Sequence, residues 1–199
     1  MLSRLTLFVV SGTLMLALSA CGEQAPPPKA ADEPAPVKAP EPEGPYYDLT
    51  KEAITSHPDW SSRNVMVMGI KMGDMTVDVA TKNLGAQLGE TNIVSDGNQT
   101  YYQTYYQKNG VALYTYKPTG KLKKIEILQT FADRIADPKL KSLLASGDLK
   151  QMRAIFGMEE SMEDKPDEMG TEYVYDARGI RFIKYKSGNL GLRFTDLKK

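Results

Sequence analysis

The chain is nearly without thiol and imidazole, holding one cysteine and one histidine in 199 residues. A single cysteine cannot pair within the chain, so no disulfide framework supports the fold and packing must do so. The lone His57, beside Pro58 and Asp59, has no companion at metal-ligand spacing and no Ser-His-Asp order around it. It reads as a helix-end histidine. Charge of one sign is lacking too, with 25 Lys plus Arg against 25 Asp plus Glu overall and 22 against 20 from Tyr46 onward. That balance argues against a nucleic-acid groove, whose footprint is strongly basic. The first apolar stretch, Leu5 to Ala20, is 16 residues, short of the roughly 20 a spanning helix needs. With no glycine-rich phosphate loop and no acid pair at predicted adjacent strand ends, no enzyme, metal or cofactor is expected.

What is present starts at the same cysteine. Arg4 gives a positive n-region, Leu5 to Ala20 an uncharged apolar core, and Leu18-Ser19-Ala20-Cys21 closes it in the order of an export signal. This ending resembles the lipobox of bacterial lipoproteins. The resemblance implies that residues 1–20 are a signal peptide removed by cleavage and that Cys21 becomes an acylated N-terminus carrying several fatty-acyl (palmitate-type) chains. One chain anchors only marginally at about 0.8 kcal/mol per buried methylene, whereas two or more anchor stably. Gly22 stands where an inner-membrane retention Asp would be, so the expected address is the outer membrane, facing the periplasm.

From Gly22 to Pro45 the composition changes abruptly to eight prolines and five alanines in 24 residues, interleaved with Glu and Lys. Such a chain favours extended polyproline II at about 3.1 Å per residue, and residues 21–45 read as a lipidated terminus followed by a solvated tether.

The remaining 154 residues, Tyr46 to Lys199, suffice for one ordinary domain. Two similar passages predict an α+β fold of two tandem α-α-β-β-β repeats, 46–131 and 132–199, with helices on one face of an antiparallel sheet. In the first, a helix over Asp48 to Ser56 precedes one capped by Thr76, with Val77, Ala80 and Leu84 at helical spacing and Gly85 as its stop. In the second, Asp137-Pro138 opens a helix, then Asp148 caps another bearing Leu149, Met152 and Phe156 before Gly157. Strands follow: Tyr101 to Gln107, Val111 to Tyr116 and Leu122 to Ile127 in one copy, Thr171 to Asp176, Ile180 to Tyr185 and Leu190 to Phe194 in the other.

A two-residue turn at Asn109-Gly110 sets Tyr106 opposite Leu113 and Tyr105 opposite Tyr114. The equivalent turn at Arg178-Gly179 sets Tyr175 opposite Phe182 and Val174 opposite Ile183, with Asp176 and Arg181 as an opposite-charge pair. Tyr106, Val111 and Leu113, with Tyr175, Ile180 and Phe182, form the expected helix-covered core. The opposite face of the first copy presents Tyr101, Tyr105, Tyr114 and Tyr116. Amphipathic aromatics of this kind suit a protein contact, so these four are the candidate partner-binding residues.

Gly69-Ile70-Lys71-Met72-Gly73-Asp74-Met75-Thr76, the helix closing at Leu84-Gly85, the tyrosine-rich hairpin and Gly120-Lys121-Leu122 together resemble the SmpA/OmlA outer-membrane lipoproteins. The tandem form is similar to β-lactamase-inhibitor-protein repeats. Those families imply a helix pair on an antiparallel sheet whose open face or loops contact another protein. The second copy departs from the pattern, keeping only Gly147-Asp148 of the opening. Methionines 66, 68, 72 and 75 read as strand and gap filling rather than a copper site. The acidic run Glu159, Glu160, Glu163, Asp164, Asp167 and Glu168 lacks calcium-loop spacing and reads as a solvated loop. The expected function is a lipid-anchored protein-interaction module in envelope assembly or maintenance, the alternative a periplasmic carrier of a small hydrophobic ligand.

Overall fold

The computed structural model describes residues 44–85, 87, 91–166 and 170–197. The expected signal peptide, Cys21 and the tether through Glu43 lie outside the described residues.

Three short strands, β1 (Tyr47–Asp48), β2 (Val65–Val67) and β3 (Ile70–Lys71), make a small sheet in the order β1-β2-β3. Helix α1 (Thr76–Leu84) follows, then β4 (Asn92–Asp96), β5 (Gln99–Tyr106), β6 (Val111–Tyr116) and β7 (Leu122–Ile127). The second half runs α2 (Pro138–Ser146), α3 (Leu149–Phe156), β8 (Ser161–Lys165), β9 (Gly170–Tyr175), β10 (Ile180–Tyr185) and β11 (Leu190–Thr195). All of β4 to β11 join one eight-stranded antiparallel sheet in the order β4-β5-β6-β7-β11-β10-β9-β8.

The fold is therefore mostly β, which corrects the α+β expectation of two tandem α-α-β-β-β repeats. Each half contributes four sheet strands rather than three. The first half carries one α-helix, because the helix expected over Asp48 to Ser56 is a two-residue strand, a turn and a 3-10 turn at Ile54–Ser56. Local chemistry explains that failure. Asp48, 2 % exposed, uses its carboxylate to accept from Thr50 N (3.0 Å), Thr50 Oγ1 (2.7 Å) and Gly69 N (3.2 Å), folding the chain back as a turn. His57 ends the 3-10 turn and stacks on Tyr47 with centroids 4.1 Å apart. The acidic run is corrected in part: Ser161 to Lys165 forms the edge strand β8, Glu159 is held by Arg153 through two bonds of 3.0 and 2.6 Å, and Asp167 and Glu168 lie outside the described residues.

Where helices do form, their ends carry the reasons. The Asp137 carboxylate accepts from Lys139 N (2.9 Å) and Leu140 N (3.2 Å), Pro138 occupies the first turn, and Gly147 at φ 62° closes α2. The other Asp137 oxygen accepts from Thr55 N (2.8 Å) and Thr55 Oγ1 (2.6 Å), pinning the N-terminal segment to α2. Helix α1 differs from expectation, since Thr76 lies inside it and bonds Thr115 (2.7 Å) while Met75 stands at the cap without a side-chain bond.

Both hairpins are shifted by two residues from the expected register. Tyr106 pairs with Val111 and Thr104 with Leu113, while Tyr175 pairs with Ile180 and Tyr173 with Phe182. The cause is a 3-10 turn inserted in each, at Gln107–Asn109 and Asp176–Arg178, which makes both loops four residues long. An even shift leaves every side chain on its own face. Tyr106, Val111, Leu113, Tyr175, Ile180 and Phe182 accordingly share one buried cluster with Leu140, Leu143 and Leu144 of α2 and Met152 of α3. Each such apolar side chain contributes about 1.5–3 kcal/mol by leaving water. Val65 and Val67 belong to this cluster, and Met68 and Met72 pack against it.

Candidate functional site: the concave face of the sheet

Side chains alternate across a strand, so the residues between those core positions all point to the opposite face. The register lines them up in rows. One row crosses seven strands as Ser161, Val174, Arg181, Arg193, Glu126, Ala112 and Tyr105. A second runs Thr195, Lys124, Tyr114, Gln103 and Asn92, and a third sets Tyr116 and Val94 on either side of Tyr101.

This face is concave. Lys124 of β7 reaches Asp96 of β4 at 2.5 Å, although β5 and β6 lie between them. In a flat sheet those backbones would be about 14 Å apart, three spacings of roughly 4.8 Å. Curling brings the outer strands toward each other and encloses an open cleft of about 1410 Å³, lined from both edges by residues such as Val94 and Asp96 of β4 and Glu163 and Lys165 of β8. The Lys124 hydrogen bond holds the Asp96 carboxyl below its ordinary value, while Glu163, hydrogen-bonded to Lys165, raises that ammonium.

All four predicted tyrosines are on this face, in unequal settings. Tyr101 and Tyr114 are 4 % exposed, whereas Tyr105 and Tyr116 are half-buried and line the cleft. Tyr101 and Tyr116 pack with ring centroids 5.9 Å apart, and the Lys124 ammonium lies 4.7 Å from the Tyr101 ring centre. Burial raises the Tyr101 hydroxyl above its ordinary pKa. The Tyr114 hydroxyl donates to Glu126 Oε2 (2.8 Å) and accepts from Gln103 Nε2 (2.8 Å) and Arg193 Nη2 (3.0 Å). It is a structural member of the floor rather than a free contact.

That floor is a buried charged network which the sequence reading did not find. Arg193, with a side chain 3 % exposed, donates through Nε (3.1 Å) and Nη2 (2.8 Å) to Glu126 and lies 3.4 Å from Glu172. Tyr185 donates to the other Glu126 oxygen, and Lys165 lies 3.6 Å from Glu172. Gly191 leaves the room this needs, since an added Cβ would fall 2.9 Å from Glu126 Oε1 and 3.3 Å from the Tyr185 ring. Ile125-Glu126-Ile127 and Leu192-Arg193-Phe194 alternate like strands with one wet face, so the sequence gives no sign that the polar members are covered.

Chemically the cleft presents aromatic faces, hydroxyls, an amide and paired charges on a rigid sheet, a set suited to binding an amphipathic, hydrogen-bonding surface. Among the described residues no three His, Cys, Asp or Glu side chains converge as metal ligands, and no helix is long and apolar enough to cross a membrane. In comparisons with known proteins, no family model, no curated protein and no solved structure matches this chain.

Proposed function

We propose that this chain is a lipid-anchored protein of the cell envelope whose concave tyrosine face receives a segment of a protein partner. In this reading Cys21 carries the acyl chains at the outer membrane, residues 22–45 hold the folded part off the membrane on its periplasmic side, and the cleft recognises an envelope protein during assembly or maintenance. The observation that supports it most is the pairing of accessible aromatics, Tyr105 and Tyr116, with a floor whose charges are already neutralised by one another. A partner covering that floor strips water from paired ions rather than from bare ones, which lowers the desolvation cost of docking. The cleft also exceeds the roughly 300–1,000 Å³ of small-molecule sites. A small apolar cargo is a poorer occupant, because the lining sets amide and charged side chains, among them Gln103, Lys124 and Arg181, beside its aromatics, whereas pockets for such cargo are lined mainly by apolar groups.

The test is photo-crosslinking in intact cells, with a benzophenone amino acid replacing Tyr105 or Tyr116 of the full chain and, as control, the exposed Lys139 of α2. The expected result is one discrete protein adduct common to both cleft positions and missing from the control. Equal adducts from Lys139, or none from the cleft, would overturn the reading. A fatty-acid probe should label the wild type and leave Cys21→Ala unlabelled and released from membranes.

A further inference from the structure

Two arginines stand opposite each other on the concave face, Arg181 of β10 and Arg193 of β11, a placement that is unfavourable unless anions surround both. Arg193 is surrounded by Glu126 and Glu172. Arg181 is served differently. Its Nη2 lies 2.5 Å from Asp176, a carboxylate 47 % exposed in the turn before β10, while its Nη1 is buried without a hydrogen-bond partner. A buried donor left unmade is costly, and a guanidinium with one idle arm is a ready fork for a carboxylate. The side chain lines the cleft and is 12 % exposed, so release of its single exposed tie to Asp176 lets it turn toward an incoming anion.

We infer that the cleft selects an acidic polypeptide segment, one of whose carboxylates pairs with Arg181 while neighbouring side chains lie against Tyr105 and Tyr116. This deepens the proposed function and rests on it. The polypeptide is favoured by the size of the cleft, about 1410 Å³ and open, which exceeds the roughly 300–1,000 Å³ of small-molecule sites. The acidic character follows from Arg181, the cleft guanidinium whose one arm has no partner.

The experiment measures binding of fluorescent random copolymers, poly(Glu-Tyr) and poly(Lys-Tyr), to the purified full chain at constant salt. The inference expects the glutamate copolymer to bind more tightly than the lysine one. Arg181→Gln should weaken it by about tenfold, the scale of one charge-assisted pair, and Asp176→Asn, at an exposed site, should tighten it. Circular dichroism checks that each variant is folded; if Arg181→Gln is not, the Asp176→Asn result decides. Equal binding of the two copolymers, or an Asp176→Asn variant no tighter than wild type, overturns the acidic preference. If the lysine copolymer binds and Tyr105→Ser abolishes that binding, the cleft reading stands without the preference. If neither copolymer binds, both fail.

Discussion

Arg193 of β11 stands directly opposite Glu126 of β7, donating from Nε at 3.1 Å and Nη2 at 2.8 Å to one carboxylate oxygen, with both side chains almost fully withdrawn from water. These two strands are the seam at which β4-β5-β6-β7 meets β11-β10-β9-β8. A buried ion pair contributes little over an apolar pair, yet losing one partner leaves the other charged and dry. Arg193→Met should therefore cost about 3–5 kcal/mol, because Glu126 is left buried without its cation and Glu172 keeps only Lys165, 3.6 Å away. The double variant Arg193→Met, Glu126→Gln should recover part of that loss in urea unfolding. Additive losses would mean that the pair does not couple across the seam.

Gly191 supports the same network by having no side chain. A Cβ there meets Glu126 Oε1 at 2.9 Å and the Tyr185 ring at 3.3 Å. A flexible carboxylate could move aside, but this one is fixed by Arg193 on one oxygen and Tyr185 on the other. Gly191→Ala should destabilise by about 1–3 kcal/mol, the range for overpacking a filled site. Combining it with Tyr185→Ala should return part of the loss by opening space, which thermal melting of the two variants would register.

The curl of the sheet carries an acid signature. Lys124 hydrogen-bonds Asp96 and lowers its carboxyl pKa, so the contribution of this contact is present above the ordinary carboxylate value and fades as pH falls through the lowered one. Asp96 is 56 % exposed, which screens the pair and keeps its worth under about 1 kcal/mol. Glu159 is lowered by Arg153 in the same sense, so the wild-type acid limb contains both effects. Asp96→Asn should flatten only its own share: wild type and variant should differ in stability at pH 6 and converge as pH falls below the ordinary carboxylate range through the lowered Asp96 value. A constant difference across that range would show that Asp96 acts through packing instead.

Much of this fold was legible in short stretches and lost at long range. Asp137-Pro138, Asp148, Gly147 and Gly157 mark α2 and α3 because caps are written in neighbouring residues. The core faces of the two hairpins survived a wrong turn length because the register moved by two, preserving parity. Nothing local announces β4 or β8, whose residues are mostly exposed and become strands by pairing with β5 and β9. Asp48 misled in the opposite direction, since a good helix cap is also a good turn former when a distant amide, here Gly69 N, comes within reach. The four tyrosines were found together, but Tyr101 and Tyr114 are buried by a curl of the whole sheet, across which Lys124 meets Asp96, and pairing at that range leaves no local mark. So the floor beneath them, Glu126, Arg193 and Glu172, was hidden in an alternation that reads as solvent-facing.

That difference among the tyrosines gives the sharpest separation of binding from stability. Tyr114 is tied by its hydroxyl to Glu126, Gln103 and Arg193, so Tyr114→Phe removes a donor from a buried carboxylate and should cost about 1–3 kcal/mol in unfolding free energy. Tyr116 and Tyr105 are half-buried at the cleft, and serine at either position should shift stability less than Tyr114→Ser does, because less apolar area returns to water. Partner recovery from crosslinked cells should follow the reverse order: lost in the double variant Tyr105→Ser, Tyr116→Ser while the protein remains folded, and largely kept in Tyr114→Phe. If all the variants lose partner in proportion to lost stability, the aromatic face serves the sheet alone, and the partner site must be sought on another surface.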